Sequence, residues 1–558
     1  MKNGILAGTT AAVLIALSAP ATLHAQAPAP APDIILSNGK IITVDNRFSI
    51  AQAVAVRGDR IVAVGTNADV NRLAGPNTRR IDLGGKSVVP GMIDNHAHIM
   101  EEGRIWLQEL RLDGITTRKQ ALDMIRAKAA TLKPGEWVYT LGGFSPDQFT
   151  DNKKDFTREE LDAVAPNNPV QLQFTRCCTY VNSKTIEAMG LDKKTDPWIQ
   201  RDASGRPTGI IGVDGAGAIS RGRPEAPASI YEPGAMAMIK DLNRAGLTAV
   251  GGPCPAEDFD SYRKWAGEGR LNFRFYCNAS VPARNPMQAD ATIGKIPQIK
   301  KTMYQGNGFF DVYTYGEHLY QPVGDNMVAV KATASKDDFA QWGRIARELA
   351  KAGMSVNQHA TLVDSIDGFL DQMEAINKEY PIKNLRWALI HLDQLTPAQM
   401  ERMKKLGVSA GVQPRSTIMG GIFHRVHGAS ADHTPPFKAV QDSGMIWGLG
   451  TDAFEVNQYR PFTTLGFAVT GKMVGGTVVN TQPISREDAL IAHTRSNAYF
   501  VFQEDNLGSI QPGKFADLVV LDRDYLTVPS DQIKDIQSVL TMVGGKIGWD
   551  AAAQTAAR

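Results

Sequence analysis

Val89-Pro90-Gly91-Met92-Ile93-Asp94-Asn95-His96-Ala97-His98 follows directly on a short β-branched run, Lys86-Ser87-Val88-Val89, and ends on two histidines one residue apart. The run reads as a buried strand. Residues i and i+2 of a strand point the same way, so His96 and His98 are expected to project side by side from a strand end and grip one metal ion. A His-x-His pair alone is equally compatible with a structural role. The residues further along the chain decide between the two.

Downstream, apolar strand-like runs alternate with helical patterns. The runs are Thr248-Ala249-Val250, Phe273-Arg274-Phe275-Tyr276, Asp311-Val312-Tyr313-Thr314-Tyr315, Ser355-Val356-Asn357, Trp387-Ala388-Leu389-Ile390, Ser409-Ala410-Gly411-Val412 and Ile446-Trp447-Gly448-Leu449. Helical patterns at 336–351 and 397–405 lie between them. Such alternation predicts the α/β class and a TIM-like (β/α)8 barrel, here over residues 90–504. Residues 103–209 interrupt the repeat with helices and a strand of their own, Val170-Gln171-Leu172-Gln173-Phe174, and read as an insertion after the first barrel strand.

Barrel enzymes carry their chemistry at the C-terminal ends of the strands. His359, His391 and Asp452 each stand where one of the apolar runs stops. With His96 and His98, that puts four histidines and an aspartate on one face of the barrel. This donor set suits zinc or a similar divalent cation, one or two ions. A bound ion of this kind lowers the pKa of a water to about 7 and so generates a nucleophile for a carbonyl carbon. Asp452, anionic and adjacent, is then the natural proton acceptor and later donor.

These motifs resemble the amidohydrolase superfamily, and within it amidohydrolase family 3, the branch of YtcJ-like and N-substituted formamide deformylase-like proteins. Beyond the His96/His98 segment, the resemblance rests on Gly142-Gly143-Phe144-Ser145-Pro146-Asp147-Gln148-Phe149 and Arg386-Trp387-Ala388-Leu389-Ile390-His391. It also rests on Leu406-Gly407-Val408 with Gln413-Pro414, on Gly450-Thr451-Asp452, and on the stretch from Gly508-Ser509-Ile510 to Ala516-Asp517-Leu518-Val519. It implies a metal-dependent barrel flanked by a β-sandwich and hydrolysis of an amide or related C–N bond. His96 and His98 would hold one metal and His359 and His391 a second, with Asp452 as ligand and proton shuttle.

The chain departs from that pattern twice. Many relatives bridge two metals with a carboxylated lysine on the fourth strand, and residues 311–320 contain no lysine. Gly316-Glu317-His318 stands there instead, so Glu317 is the candidate bridging carboxylate and His318 a candidate substrate contact. Relatives also carry a histidine shortly before Val-Asn-Ser; the matching position here is Cys177, which could ligate metal, line the substrate pocket or simply be buried. Arg415, just after the seventh strand, is a further candidate for substrate binding, whereas His493 reads as helix packing.

Outside the barrel the pattern changes to short strands and tight turns. Asn38-Gly39 and Gly58-Asp59 each separate two apolar runs, which predicts two hairpins. Strand patterns return near 515–522 and 538–547, so residues 28–89 and 505–558 are expected to form one composite β-sandwich. Residues 1–27 have the plan of a bacterial secretory signal peptide: Lys2, an apolar stretch from Thr10 to Ala19, and small residues at Ala21, Ala25 and Ala27. Cleavage is expected after Ala25 or Ala27, and the apolar stretch is too short to remain as a membrane anchor. A periplasmic or secreted protein follows. Four cysteines in 558 residues are too few for a disulfide scaffold, although one bridge fits an oxidising compartment.

A net charge of +2, with both signs evenly spread, excludes a nucleic-acid footprint. The expected partner is a small-molecule substrate; homo-oligomerisation stays open. The sequence thus predicts an exported, metal-dependent hydrolase of an amide or an N-acyl or N-formyl amine. The same site could instead serve ester or lactone hydrolysis, decarboxylation or hydration, or belong to a non-catalytic metal-binding pseudoenzyme.

Overall fold

Eight parallel strands follow one another in sequence and in space: β1 (Met92–Asp94), β2 (Leu247–Pro253), β3 (Arg274–Ala279), β4 (Phe310–Glu317), β5 (Ser355–Ala360), β6 (Ala388–His391), β7 (Ser409–Val412) and β8 (Trp447–Leu449). They come from a computed structural model that describes Met1 and residues 30–175 and 177–556. The signal-peptide reading falls on residues outside that set, Met1 apart. The strands are buried nearly throughout, as a parallel sheet covered by helices requires. The helix Lys336–Lys351 shows how the cover is made. Ser335 and Asp338 form a capping box, and Phe339, Trp342, Ile345, Ala346 and Leu349 recur on the buried face. Trp342 donates its indole N–H to Gln358 Oε1 (2.6 Å), tying this helix to β5 one residue before His359.

The run Ser87–Pro90 is a strand, but not the barrel strand that carries the histidines. It lies in a six-stranded sheet, and the barrel begins beyond the bend at Gly91. A Cβ at Gly91 would fall 2.2 Å from Thr248 Oγ1, so the chain can cross from one sheet to the other there only as glycine. The six-stranded sheet runs Lys546–Asp550, Ser538–Val543, Leu518–Leu521, Ser87–Pro90, Lys40–Ile42, Ile50–Ala51, and so joins both chain ends. A four-stranded sheet contains Arg60–Gly65, Ala53–Arg57, Ile34–Ser37 and Arg79–Asp82. Leu36, Val54 and Val56 from this sheet share a core with Ile41, Leu518 and Met542 from the other.

Of the two expected hairpins, the one around Gly58-Asp59 forms, with Ala53–Arg57 antiparallel to Arg60–Gly65. The one around Asn38-Gly39 does not: Ile34–Ser37 and Lys40–Ile42 belong to different sheets. A two-residue I′ turn needs both central residues left-handed, and of this pair only Asn38 is (φ 58°). The insertion builds a five-stranded sheet, Ile199–Arg201, Pro207–Gly212, Cys178–Val181, Val170–Phe174, Val138–Thr140, on its own apolar cores. A disulfide joins Cys254, just after β2, to Cys277 on β3.

Barrel and sandwich meet at a buried ion pair. Arg274 of β3 donates Nε and Nη2 to the two oxygens of Asp517 (2.9 and 2.8 Å), and its guanidinium stacks on Phe309 and Phe515 (4.5 and 4.1 Å to the ring centroids).

Candidate metal centre

His96 and His98 leave the C-terminal end of β1; His359 lies in β5, His391 closes β6, and Asp452 follows β8. Glu317 is the last residue of β4. The residue before it must be glycine, because a Cβ on Gly316 would lie 1.9 Å from Asn357 O. The structure brings all six side chains to one place and sets Glu317 at their centre.

The two oxygens of Glu317 face opposite groups. Oε2 lies 3.6 Å from His96 Nε2 and 3.3 Å from His98 Nε2. Oε1 lies 2.6 Å from His359 Nδ1 and 3.1 Å from His391 Nε2. Asp452 is divided in the same way. Its Oδ1 is 3.7 Å from His96 Nε2 and 3.6 Å from His98 Nε2, while Oδ2 is 3.6 Å from His391 Nδ1 and 3.4 Å from Arg415 Nη1. Donor atoms within 4.8 Å of one another form three sets: His96, His98 and Asp452; His96, Glu317 and His391; Glu317, His318 and His359.

Burial and charge shape each group. Burial pushes His96 down to about 3, and burial with Arg415 holds His391 well below its ordinary value, so both imidazoles stay neutral and keep lone pairs. Burial would raise the Glu317 carboxyl, but the surrounding imidazoles outweigh it and hold the carboxyl well below the usual carboxylate range. Burial raises Asp452 to about 6 against the pull of Arg415. His96 is fully buried, and neither of its ring nitrogens has a hydrogen-bond partner, which leaves two polar atoms costly unless a cation takes one. The neutral imidazoles, the ionised Glu317 and these orphaned nitrogens fit a divalent cation.

An amide relay forms the floor beneath. Gln413 Oε1 accepts from His391 N (2.8 Å), Gln413 Nε2 donates to Asn95 Oδ1 (2.7 Å), and Asn95 Nδ2 donates to Asn497 Oδ1 (3.0 Å). His391 and Asp452 are both left-handed (φ 82° and 61°), a strained state for residues with side chains that this packing sustains.

A cavity of about 430 Å³ opens over the cluster, lined by His98, Glu317, His318, His359, His391, Arg415 and Asp452. His318 is among the residues of its wall. Arg415 lines it too, but its guanidinium is engaged by Asp393 and Asp452, so it acts on the site by steadying Asp452. Cys177 is the exception. It packs on the insertion's core and lines neither this cavity nor its neighbour, whereas Cys178, whose Sγ lies 3.5 Å from that of Cys177, lines the neighbour.

Sequence reasoning missed Asp325, whose Oδ1 lies 2.8 Å from His359 Nε2 while Oδ2 accepts from the Thr361 and Leu362 amides (both 2.9 Å). It orients the ring that turns Nδ1 to Glu317. Asp325 sits in a loop with no periodicity, and nothing in its neighbours marks it.

A family model described as "Amidohydrolase family" matches residues 79–548. The N-substituted formamide deformylase of Arthrobacter pascens is 26% identical over 93% of this chain and 98% of its own. YtcJ of Bacillus subtilis is 24% identical over 92% and 99%. Among solved structures, an uncharacterised metal-dependent hydrolase from Pyrococcus furiosus superposes with a TM-score of 0.62 at 21% identity, covering 88% of this chain and 100% of its own.

Proposed function

The chain belongs to the amidohydrolase family, and we propose that it hydrolyses the C–N bond of an amide or of an N-acyl or N-formyl amine. The observation that carries this reading is the two-sided setting of Glu317, one oxygen toward His96 and His98 and the other toward His359 and His391. That setting supports Glu317 as a bridging ligand. In this reading Glu317 would stand in for the carboxylated lysine, and His96, His98, His359, His391 and Asp452 would hold one or two divalent cations. Imidazole with carboxylate favours zinc. When bound, a divalent cation supplies Lewis acidity, polarising a carbonyl oxygen and lowering the pKa of a water to about 7.

The proton traffic belongs to Asp452. Its carboxylate accepts a proton as water adds to the carbonyl carbon. It returns that proton to the departing nitrogen, so that the C–N bond breaks to give a carboxylic acid and a neutral amine. Arg415 holds Asp452 in place through Oδ2, and His318 contacts the substrate from the cavity wall. The deformylase relative supports the C–N bond as the target.

Export through the N-terminal signal, to the periplasm or beyond, belongs to the same proposal. The Cys254–Cys277 disulfide supports it, since such bonds persist in oxidising compartments. Elemental analysis of the purified protein, paired with a screen of N-formyl and N-acyl amines, tests the whole. The expected result is bound divalent metal and amine release that a chelator abolishes. Activity confined to esters or lactones, or undiminished by chelation, would overturn the reading.

A further inference from the structure

Of the four cysteines, Cys254 and Cys277 are joined, and Cys177 and Cys178 are free. The free pair is half-buried, with its two Sγ atoms 3.5 Å apart. Backbone bonds fix both residues. Cys177 N donates to Phe174 O (3.0 Å) and closes a tight turn. Cys178 lies in the insertion's sheet, paired with Phe174 on one side and Gly212 on the other. The Tyr180 oxygen, 3.9 Å from Cys178 Sγ, is held in turn by donating to Asp155 Oδ1 (2.6 Å).

The hydrolysis described above makes no use of this pair, yet the pair adjoins its site. Cys178 lines a cavity of about 420 Å³ that shares Asn326 and Glu455 with the cavity over the metal centre. The contact between the sulfurs also divides their roles. The S–H of Cys178 points at Cys177 and lowers that thiol below its ordinary value, while the same contact raises Cys178. Cys177 is therefore the readier thiolate and the first nucleophile of the two.

Two sulfurs 3.5 Å apart, each about 2.3 Å from a shared centre, subtend about 100° there. That angle is far from linear and suits a pyramidal or tetrahedral centre. A structural zinc ion takes four protein ligands, and among the described residues no histidine, aspartate or glutamate joins these sulfurs as a third donor. A trivalent arsenical carries its own third substituent and needs only the two sulfurs.

We propose that Cys177 and Cys178 form a dithiol site that captures a trivalent arsenical, R–As(OH)₂, and that the captured group obstructs the cavity beside the metal centre. The Cys177 thiolate bonds to arsenic and displaces one hydroxide; the Cys178 sulfur bonds next and displaces the other. Two As–S bonds replace two As–O bonds, the two thiol protons leave in two waters, and no oxidant or reductant takes part. The obstruction of turnover rests on the C–N hydrolase reading; the capture does not.

The test adds equimolar phenylarsine oxide to the zinc-loaded enzyme. Mass analysis should find one phenylarsenic group on the peptide that carries both cysteines, with both thiols lost to a thiol reagent and the metal content unchanged. A small dithiol should release the group, and an excess of a monothiol should not. Because the second sulfur binds intramolecularly, the wild type should hold the reagent about 10²-fold or more tighter than Cys177→Ser or Cys178→Ser does. The adduct should lower kcat/KM by about tenfold or more, the dithiol should restore it, and treated Cys178→Ser should keep its activity. No adduct at equimolar reagent, an adduct that the monothiol strips, or equal affinity in the two serine variants overturns the site. An adduct on both cysteines with unchanged turnover overturns the obstruction. Capture by a protein that cleaves no C–N bond upholds the dithiol site and sinks the hydrolase reading instead.

Discussion

Asp452→Asn separates chemistry from metal binding. The change is isosteric and keeps one oxygen on the side chain, while four histidines and Glu317 still surround the centre. Metal content should therefore stay within about a fifth of the wild-type value. What disappears is the proton acceptor. General acid–base catalysis contributes roughly 10²–10⁴-fold, so kcat should fall by about that factor, or ~3–5 kcal/mol at ~1.4 kcal/mol per decade. The amide also turns its NH₂ or its weaker acceptor toward Arg415. The cost in stability should be small, under about 2 kcal/mol, because Arg415 keeps its closer partner Asp393 and its contact to Asp452 is the long one, 3.4 Å. The assay is initial-rate kinetics on whichever N-formyl or N-acyl amine the wild type turns over, with elemental analysis of the same preparation. A variant that retains more than a tenth of wild-type kcat with its metal in place would refute Asp452 as the proton shuttle. One that loses its metal would make it chiefly a ligand.

Three further outcomes follow from the geometry. Glu317→Gln keeps the size of the side chain but removes the charge shared between its two oxygens, so the metal held per chain should fall below the wild-type content by elemental analysis; unchanged content would remove Glu317 as the bridge. Arg274→Met leaves Asp517 buried against an apolar neighbour and should cost about 3–5 kcal/mol in denaturant unfolding, with Arg274→Met/Asp517→Asn recovering much of it; a loss below about 1 kcal/mol would show the joint to be incidental. Burial lowers the pKa of His493 to about 4, whereas the unfolded chain holds this imidazole near 6.5, so protonation favours unfolding. Stability should drop by roughly 3 kcal/mol as pH falls from 7 to 4, and His493→Gln, which has nothing to protonate, should lack that component; parallel pH profiles would count against it.

The barrel was legible because its strands are runs of apolar residues ending in polar ones, and burial on both faces writes that pattern directly. His96, His98, His359, His391 and Asp452 were found because each ends or follows such a run, and Glu317 because a lysine was missing from its strand. The failures have physical causes of the same kind. Asn38-Gly39 has the composition of a hairpin turn, but composition does not say which sheet the second strand joins, and Lys40–Ile42 joins the other one. Ser87–Pro90 has the β-branched character of a barrel strand because the sandwich core demands the same thing. Cys177 and Cys178 bring their sulfurs within 3.5 Å of each other, so which of them meets a cavity is set by tertiary packing that no single sequence settles. Asp325 and the Gln413–Asn95–Asn497 relay act through contacts between distant segments, and polar residues in loops carry no period.

The relay also bears on why the centre lies where it does. Among the described residues no backbone ladder pairs β1 with β8; the barrel is closed there by side chains. Asp94 accepts from Thr451 N (3.0 Å) and Thr451 Oγ1 (2.5 Å), and Asn497 donates to both Ile93 O (2.5 Å) and Leu449 O (2.6 Å). Freed from ladder register, the two strand ends bring their following loops into direct contact, with Asp452 N donating to His96 O (2.9 Å) and His98 N to Ala453 O (2.6 Å). Those bonds place Asp452 against the first histidine pair. A continuous β1–β8 ladder would fix the strands at about 4.8 Å and carry the side chains on in alternation, leaving no reason for Asp452 to fold back left-handed over the centre. The side-chain seam is thus what lets residues from β1 and β8 act as one site. It also makes Asn497, which touches no donor atom of the cluster, a positioning residue: Asn497→Ala should raise KM and lower metal affinity together, and a variant with wild-type metal affinity would show that the seam holds without it.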